Sequence, residues 1–334
     1  MEIHNNINNR PIKSGRYLWI LLLAVVVYAG LSFSADWHEL TTALQSMKWV
    51  YIPAVLTLAS LNYLVRFGKW HYYIRHLGFC VGRIDNLVIF LAGLIMSITP
   101  GKMGEVLKSY LLKVLDRTPM CRTAPVVFAE RLTDLVALLI LTVVGGYALS
   151  GAGGALVAGI IIVILILVMV SSESLHGLVL GYLHRFQRIR SFIVKIETSL
   201  ESARSLVAPK PMILTSAISV PAWFCECIGF WLVLRALGIL ELGILPATGI
   251  YALGAVVGAL SMLPGGLGAT ELTLTGLLTA SGVPQAKAVA ATLIIRAATL
   301  WYAVIIGAVF LSIFRYRDTR SSLGSGHHPV EEHP

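Results

Sequence analysis

Charged side chains inside apolar segments are the residues of this sequence whose types and spacing could do chemistry. An ionisable group at membrane depth is energetically costly and generally functional. Glu130, Arg131 and Asp134 fall within about one helical turn of each other in one such segment. Each candidate either follows one of two Pro-Gly sites or lies in the long apolar segment after it. The candidates are Lys102, Glu105, Lys108, Glu130, Arg131, Asp134, Glu271 and Arg296.

Two interpretations of these charges stay open. In one, they bind a transported group, and some of the carboxylates couple protons to transport. In the other, they pair for structural reasons, Glu105 with Arg131 and Glu271 with Arg296. The two are compatible because intramembrane charges in transport pathways often pair with one another. Glu226, between two cysteines that we interpret as small buried hydrophobes, is either protonated or paired.

The composition identifies the elements that must position these charges. Hydrophobic residues make up 57% of the 334 residues and charged residues 13%, against about 25% charged in soluble proteins. The mean hydropathy is +0.79. We therefore predict an all-α polytopic membrane protein, which excludes a cytosolic enzyme, a DNA-binding protein and a secreted disulfide scaffold. The net charge of +9 is typical of basic cytoplasmic loops and does not indicate a nucleic-acid partner.

Apolar runs and basic loops together predict the topology. Residues 1–16 form a cytoplasmic tail, 17–314 a single transmembrane domain and 315–334 a disordered cytoplasmic tail, so both termini are cytoplasmic. In a segment at about 171–210, apolar residues recur every three or four positions with basic residues between them, so it is predicted to lie on the inner leaflet as an amphipathic helix. Six apolar runs are predicted to span the membrane: 17–33, 49–65, 124–147, 155–170, 211–234 and 286–314.

Two further apolar segments differ from these spans. Residues 86–99 reach only about 21 Å as a helix, short of the roughly 30 Å hydrocarbon core. Basic residues flank this segment on both sides, so it is predicted to dip into the membrane and return. We predict two oppositely oriented re-entrant hairpins, at about 86–116 from the inside and at about 244–285 from the outside.

The two hairpins repeat a sequence pattern. Ser97-Ile-Thr-Pro-Gly-Lys-Met-Gly104 matches Ser261-Met-Leu-Pro-Gly-Gly-Leu-Gly268 at an offset of 164. Similar sequence in opposite orientation is the mark of an inverted-topology repeat. Proline ends a helix and glycine permits the turn, so the two tips are expected to meet and line a cavity. Helices that restart after the tips direct positive ends at an anion such as a lipid phosphate. The tip residues are Pro100, Gly101, Gly104, Pro264, Gly265, Gly266 and Gly268.

A second basic and aromatic segment contains Arg66, Lys69 and Trp70. It is either an interfacial belt or a separate entrance that contacts headgroup phosphates. The sequence contains no HExxH, GxSxG, P-loop or GxGxxG motif. We therefore expect no enzymatic activity, no cofactor and no metal.

Three motifs resemble a known family. Thr99-Pro-Gly-Lys-Met-Gly-Glu105, Ala129-Glu-Arg-Leu-Thr-Asp134 and Leu263-Pro-Gly-Gly-Leu-Gly-Ala-Thr-Glu271 are similar to the transmembrane domain of lysylphosphatidylglycerol synthases, a family that also includes stand-alone flippase-like proteins. The resemblance covers roughly residues 15–315 and implies a lipid-flipping domain. We expect no soluble synthase domain. Lys108 stands where the family often has arginine, which keeps the charge but loses bidentate contact with phosphate.

The sequence thus predicts a lipid flippase of the bacterial inner membrane that moves an anionic or polyprenyl-linked lipid between leaflets. A membrane-embedded enzyme that transfers a group to or from a lipid carrier is the alternative. A non-transporting partner of a lipid- or glycan-synthesis enzyme is a third interpretation. Assembly into a homo-oligomer stays open.

Overall fold

The computed structural model of the protein describes residues 25–30, 37–146, 153–172 and 190–324. Every regular element in these ranges is a helix, which confirms the all-α prediction. The predicted N-terminal tail and most of the first predicted span lie outside the described residues. The last helix continues to Gly324, ten residues into the segment predicted as a disordered tail. Residues 325–334 lie outside the described ranges.

We number the helices in chain order. Short 3-10 turns at Leu94–Ile98 and Met103–Val106 flank the first Pro-Gly site, and a π-helical turn, Ala297–Trp301, precedes the last helix. The helices are α1 (Trp37–Gln45), α2 (Ile52–His76), α3 (Arg83–Gly93), α4 (Leu107–Asp116), α5 (Met120–Gly146), α6 (Gly153–Ser171), α7 (Arg190–Val207), α8 (Pro209–Ala236), α9 (Ile244–Leu260), α10 (Ala269–Ala280), α11 (Gln285–Arg296) and α12 (Tyr302–Gly324).

Three helical segments of the described residues are long and apolar enough to cross a membrane. They are Trp49–His76, Pro209–Ala236 and Gln285–Arg317, and the shorter apolar helices are Val157–Val170 and Ile244–Leu260. Helix α5 has 27 residues, ample for about 30 Å of hydrocarbon. It carries three charged residues within one helical turn, at 130, 131 and 134, and these belong to the candidate site.

The helices of the two halves pack across each other. Helix α5, which follows the first Pro-Gly site, packs along α9, which leads to the second. Helix α12, which follows the second site, packs on α3 and the 3-10 turn before the first. Both contacts bring backbones together: a Cβ on Gly145 would lie 2.2 Å from Gly249 N, and one on Gly307 would lie 2.1 Å from Ile95 N. Each long helix therefore holds an arm of the opposite Pro-Gly segment in place.

The two Pro-Gly tips have the same backbone turns. Gly101 and Gly265 both have positive φ, 55° and 60°. Lys102 and Gly266 follow with φ of 56° and 68°. The left-handed conformation is thus adopted by a lysine in the first tip and by a glycine in the second. Matching hydrogen bonds, each displaced by 164 positions, close the turns: Lys102 N to Thr99 O, Gly266 N to Leu263 O, Met103 N to Pro100 O and Leu267 N to Pro264 O.

Helix α7 covers part of the segment predicted to lie on the inner leaflet as an amphipathic helix. It packs chiefly against α5, with further contacts to α6 and α8, and buries Ile193 and Leu206. Its apolar side is therefore largely satisfied by protein, although Val194 stays exposed. Residues 173–189 of the predicted segment lie outside the described residues.

Candidate functional site

A cavity of about 410 Å³ lies where the two tips meet. Gly101 and Lys102 line it from the first tip, and Gly265 and Gly266 line it from the second. Pro100 and Pro264 form an isolated antiparallel bridge beside it, which holds the tips together. The wall carries four cationic and two acidic side chains: Arg66, Lys102, Arg131, Arg296, Asp134 and Glu226.

Two arginines on this wall have nitrogens that donate no hydrogen bond within the described part of the chain. They are Nε and Nη2 of both Arg66 and Arg131. Arg66 Nη2 lies 4.0 Å from Glu105 Oε1 and 3.8 Å from Asp134 Oδ2, and Arg131 Nη2 lies 3.1 Å from Asp134 Oδ2. These ion pairs hold the guanidinium groups in place. Both guanidinium groups belong to the cavity wall, and their positive charge would attract an anion with several oxygens.

A buried ion network supports the arginines from behind. Lys108 Nζ lies 2.5 Å from Glu130 Oε2 and 3.3 Å from Glu105 Oε2. Its ammonium lies 4.5 Å from the centre of the Trp70 ring, in range of a cation–π contact. A Cβ on Gly93 would lie 2.4 Å from Lys108 Cγ, so only glycine leaves room for this side chain. The network is closed off from the cavity and positions the residues that reach it.

Lys69 is the second buried lysine of the network. Its side chain is fully buried, and Nζ lies 2.5 Å from Asp134 Oδ1 and donates to Ser219 Oγ at 2.7 Å. Ser219 also donates to Asp134 Oδ1 at 3.1 Å. Asp134 is thus held between Lys69 and Arg131, with its other oxygen toward the arginines of the cavity.

The sequence had separated Arg66, Lys69 and Trp70 from the main site as an interfacial belt or an entrance. In the structure all three are buried and belong to the same cluster as Glu105 and Asp134. The physical reason is helical periodicity: positions 66, 69 and 70 share one face of α2. That face is directed at α5 and α8, with Lys69 bonded to Thr133 on one and Ser219 on the other. Composition alone did not reveal this direction.

The second tip carries a simpler pair. Arg296 Nε donates to Glu271 Oε1 at 2.6 Å, and Arg296 Nη2 donates to Gly265 O at 2.6 Å. Gly268 N donates to Glu271 Oε2 at 2.7 Å. The N-terminus of α10 is therefore capped by its own carboxylate, and the cation that this tip presents to the cavity is Arg296. The π-helical turn that starts at Ala297 lies directly after this arginine.

The sequence-predicted residues thus occupy different parts of the site. Both pairs predicted for structural reasons are formed, Glu105 with Arg131 at 3.4 Å and Glu271 with Arg296. Gly104 and Gly268 lie in the turns, where each donates a backbone hydrogen bond to a side-chain oxygen. Seven residues predicted for the main site line the cavity, namely Gly101, Lys102, Arg131, Asp134, Gly265, Gly266 and Arg296, and so does Arg66, which was predicted for a separate entrance. Glu105, Lys108, Glu130 and Glu271 lie behind its wall.

Several cavity residues were not among the predicted site residues. Glu226 lines the cavity and accepts a hydrogen bond of 2.7 Å from the Tyr251 hydroxyl. The Trp223 ring, one helical turn before it, lies 5.6 Å from Lys102 Nζ. A carboxyl inside an apolar run was the available signal for Glu226, but its partner lies on another helix. Within the described ranges, no three His, Cys, Asp or Glu side chains are grouped so that they could hold a metal ion.

Long apolar helices, paired Pro-Gly turns and a charged cavity between them define a multi-pass helical membrane protein with a polar site between its spans. The chain belongs to the family of the lysylphosphatidylglycerol synthase transmembrane region, whose model matches residues 20–307. Three similar proteins are all named UPF0104 membrane protein. Two are from Methanothermobacter thermautotrophicus: one is 26% identical over 88% of this chain and 91% of its own length, the other 23% identical over 88% and 94%. A third, from Methanocaldococcus jannaschii, is 24% identical over 66% of this chain and 93% of its own.

Proposed function

We propose that this protein is a lipid flippase or transporter that moves an anionic or polyprenyl-linked lipid between the leaflets of the cytoplasmic membrane. The observation that carries the proposal is a cavity of about 410 Å³ between the two tips, whose wall carries the cations Arg66, Lys102, Arg131 and Arg296. A cavity of this size is in the range of small-ligand sites and suits a lipid headgroup. Four cations against two carboxylates on its wall favour a negatively charged one.

The proposed topology has six full spans and two oppositely oriented re-entrant hairpins, at about 86–116 and 244–285, with both termini in the cytoplasm. The matched turns at the two tips and their antiparallel bridge support an inverted repeat. The acid–arginine pairs, one in each half, support it further. In such repeats the substrate site lies at the repeat interface near the middle of the bilayer.

Each group of site residues has its own role in this proposal. Lys102, Arg66 and Arg131 bind the phosphate, and Arg296 contacts it from the second tip. Glu105 and Asp134 hold the arginines, and the buried lysines at 69 and 108 hold those carboxylates. Because the lysines are fully buried behind the wall, they are positioning residues in this scheme and do not touch the lipid.

Reconstitution tests the proposal. Purified protein is placed in liposomes that contain phosphatidylglycerol or a polyprenyl phosphate, each with a nitrobenzoxadiazole label on its apolar chain. Dithionite then bleaches the label in the outer leaflet. We expect bleaching beyond the half that empty liposomes permit, for at least one of the two lipids. Decay identical to that of empty liposomes for both lipids would overturn the proposal.

Matched variants tie the activity to the cavity. Lys102→Gln removes a cation of the cavity wall, whereas Lys113→Gln removes an exposed lysine of α4 in the same segment. Transport is expected to fall only in the first. Chromatography of the lipids after the assay tests the alternative of group transfer, which predicts a chemically changed lipid rather than a relocated one.

A further inference from the structure

Glu226 differs from every other acidic residue of the site. Its side chain is 7% exposed, it lines the cavity, and its hydrogen-bond donor is the Tyr251 hydroxyl. Among the described residues, no cation lies within ion-pair distance of it. The other carboxylates each contact at least one lysine or arginine: Glu105, Glu130, Asp134 and Glu271.

Charged and titratable side chains near Glu226 come from several of the helices that line the cavity. Lys102 and Arg66 are the cations that act on it electrostatically, and Asp134 is the nearby carboxylate that does so. The Trp223 ring, one helical turn before Glu226 on α8, lies 5.6 Å from the Lys102 ammonium. The remaining titratable groups that line the same cavity are Tyr63 on α2, Arg131 on α5, Tyr251 on α9 and Arg296 on α11. Cys225 and Cys227 flank Glu226 on α8 itself.

These surroundings give Glu226 two different environments. In the empty cavity its negative charge offsets cations such as Lys102 across the open space. A phosphate group that binds to those cations takes over that role. It also adds a like charge beside the carboxylate, which disfavours the ionised form. A desolvated carboxylate without a cation is costly, and a proton removes that cost.

We propose that Glu226 is a proton-binding site that fills when a lipid phosphate occupies the cavity, so that phosphate and proton cross the membrane together. This inference rests on the proposed function, because it requires a phosphate in the same cavity. Tyr251 has a positioning role: its hydroxyl donates to the ionised carboxylate and keeps it available for the proton. The carboxylates of the ion pairs are less suited to this task, because their cations stabilise the charged form.

Calorimetry on the full-length protein in detergent tests the inference. Dihexanoyl phosphatidylglycerol is the probe, because its phosphodiester does not titrate near neutral pH. Titrations at one pH, in buffers of different ionisation enthalpy, give the number of protons taken up on binding. We expect about one proton for the wild type, with affinity falling by up to about tenfold per unit rise in pH. Glu226→Gln retains an oxygen that accepts from Tyr251, and it is expected to bind with near-zero proton uptake and no pH dependence.

Two further variants make the outcome decisive. Glu201→Gln, an exposed carboxyl on α7, is expected to match the wild type. Tyr251→Phe removes the hydrogen bond that stabilises the carboxylate, so Glu226 is protonated before the lipid arrives and uptake falls; it serves if Glu226→Gln does not fold. Binding without proton uptake, or with equal uptake in the wild type and Glu226→Gln, overturns this inference and leaves the proposed function standing. No binding by the wild type also overturns this inference, whereas the proposed function falls only if both lipids fail in the liposome assay.

Discussion

Pro100 and Pro264 lie 164 positions apart in the chain and form an antiparallel bridge between the two tips. The bridge therefore joins two equivalent turns, one from each half of the chain. What differs is the side chain two positions on: Lys102 in one tip and Gly266 in the other, both with positive φ. At this position the first tip places a cation on the cavity wall, whereas the second tip has a glycine that packs closely against Gly258 and Thr270.

This asymmetry gives a prediction for Lys102. A residue with a Cβ in the left-handed region costs about 1–2 kcal/mol, and glycine avoids that cost but loses about 0.5–1 kcal/mol of its own through backbone entropy. The free energy of unfolding of Lys102→Gly is therefore expected to exceed that of Lys102→Gln by about 0–1.5 kcal/mol. Both variants are expected to lose lipid transport. Thermal unfolding in detergent and the dithionite assay measure the two quantities. Wild-type transport by Lys102→Gly would show that the cation is not needed.

A second prediction concerns the contact between α5 and α9. A Cβ added at Gly145 would lie 2.2–2.7 Å from backbone atoms of Gly249 and Leu245, which cannot move aside as a side chain does. Gly145→Ala is expected to destabilise the protein by about 1–3 kcal/mol because the helices must separate. Gly146→Ala is the control: its nearest atom would be 3.8 Å away. Equal unfolding temperatures for the two variants would contradict this close approach.

The local features of the site were predictable from the sequence. The Pro-Gly matches at positions 100 and 264 predicted two similar turns, and the structure forms them with the same hydrogen bonds. The pairs Glu105–Arg131 and Glu271–Arg296 followed from charges that the membrane environment requires to be compensated. In each case a local rule restricts the outcome to few alternatives.

The contacts between distant helices were not predictable in the same way. Arg66 and Lys69 lie on α2, and the residues of α5 and α8 that Lys69 contacts are 61 or more positions away in the chain. A basic and aromatic segment at this position is equally compatible with an interfacial belt, since the direction of a helix face is set by tertiary packing. For the same reason the sequence did not pair Glu226 with Tyr251, which lies 25 positions later on another helix.

The buried pair of Lys108 and Glu130 predicts strong coupling between two substitutions. Lys108→Met leaves the Glu130 carboxylate buried without its cation and is expected to cost about 3–5 kcal/mol. Glu130→Gln is expected to cost less, because Lys108 keeps Glu105 at 3.3 Å. The double variant is expected to recover most of the loss. A double-mutant cycle of unfolding free energies measures this.

An exposed ion pair provides the reference for that cycle. Arg317 Nη1 lies 3.2 Å from Asp85 Oδ1, with both side chains about half exposed. Exposed pairs couple by about 0–1 kcal/mol, because water and salt screen them. If the Lys108–Glu130 coupling is no larger than that of the exposed pair, the buried network does not hold the site together.

The last prediction separates charge from hydrogen-bond geometry at Arg66. Arg66→Lys keeps a positive charge near Glu105 and Asp134, so the unfolding free energy is expected to change by no more than about 1 kcal/mol. It removes the Nε and Nη2 nitrogens, which are buried in the cavity wall and donate no hydrogen bond within the described part of the chain. Because a lysine offers a single ammonium in place of the planar guanidinium fork, lipid transport is expected to fall about tenfold or more. Arg317→Lys, an exposed position, is the control that should keep both stability and transport. A stable Arg66→Lys protein that transports lipid at the wild-type rate would mean that the charge alone suffices and that the planar guanidinium group is not needed to bind the phosphate.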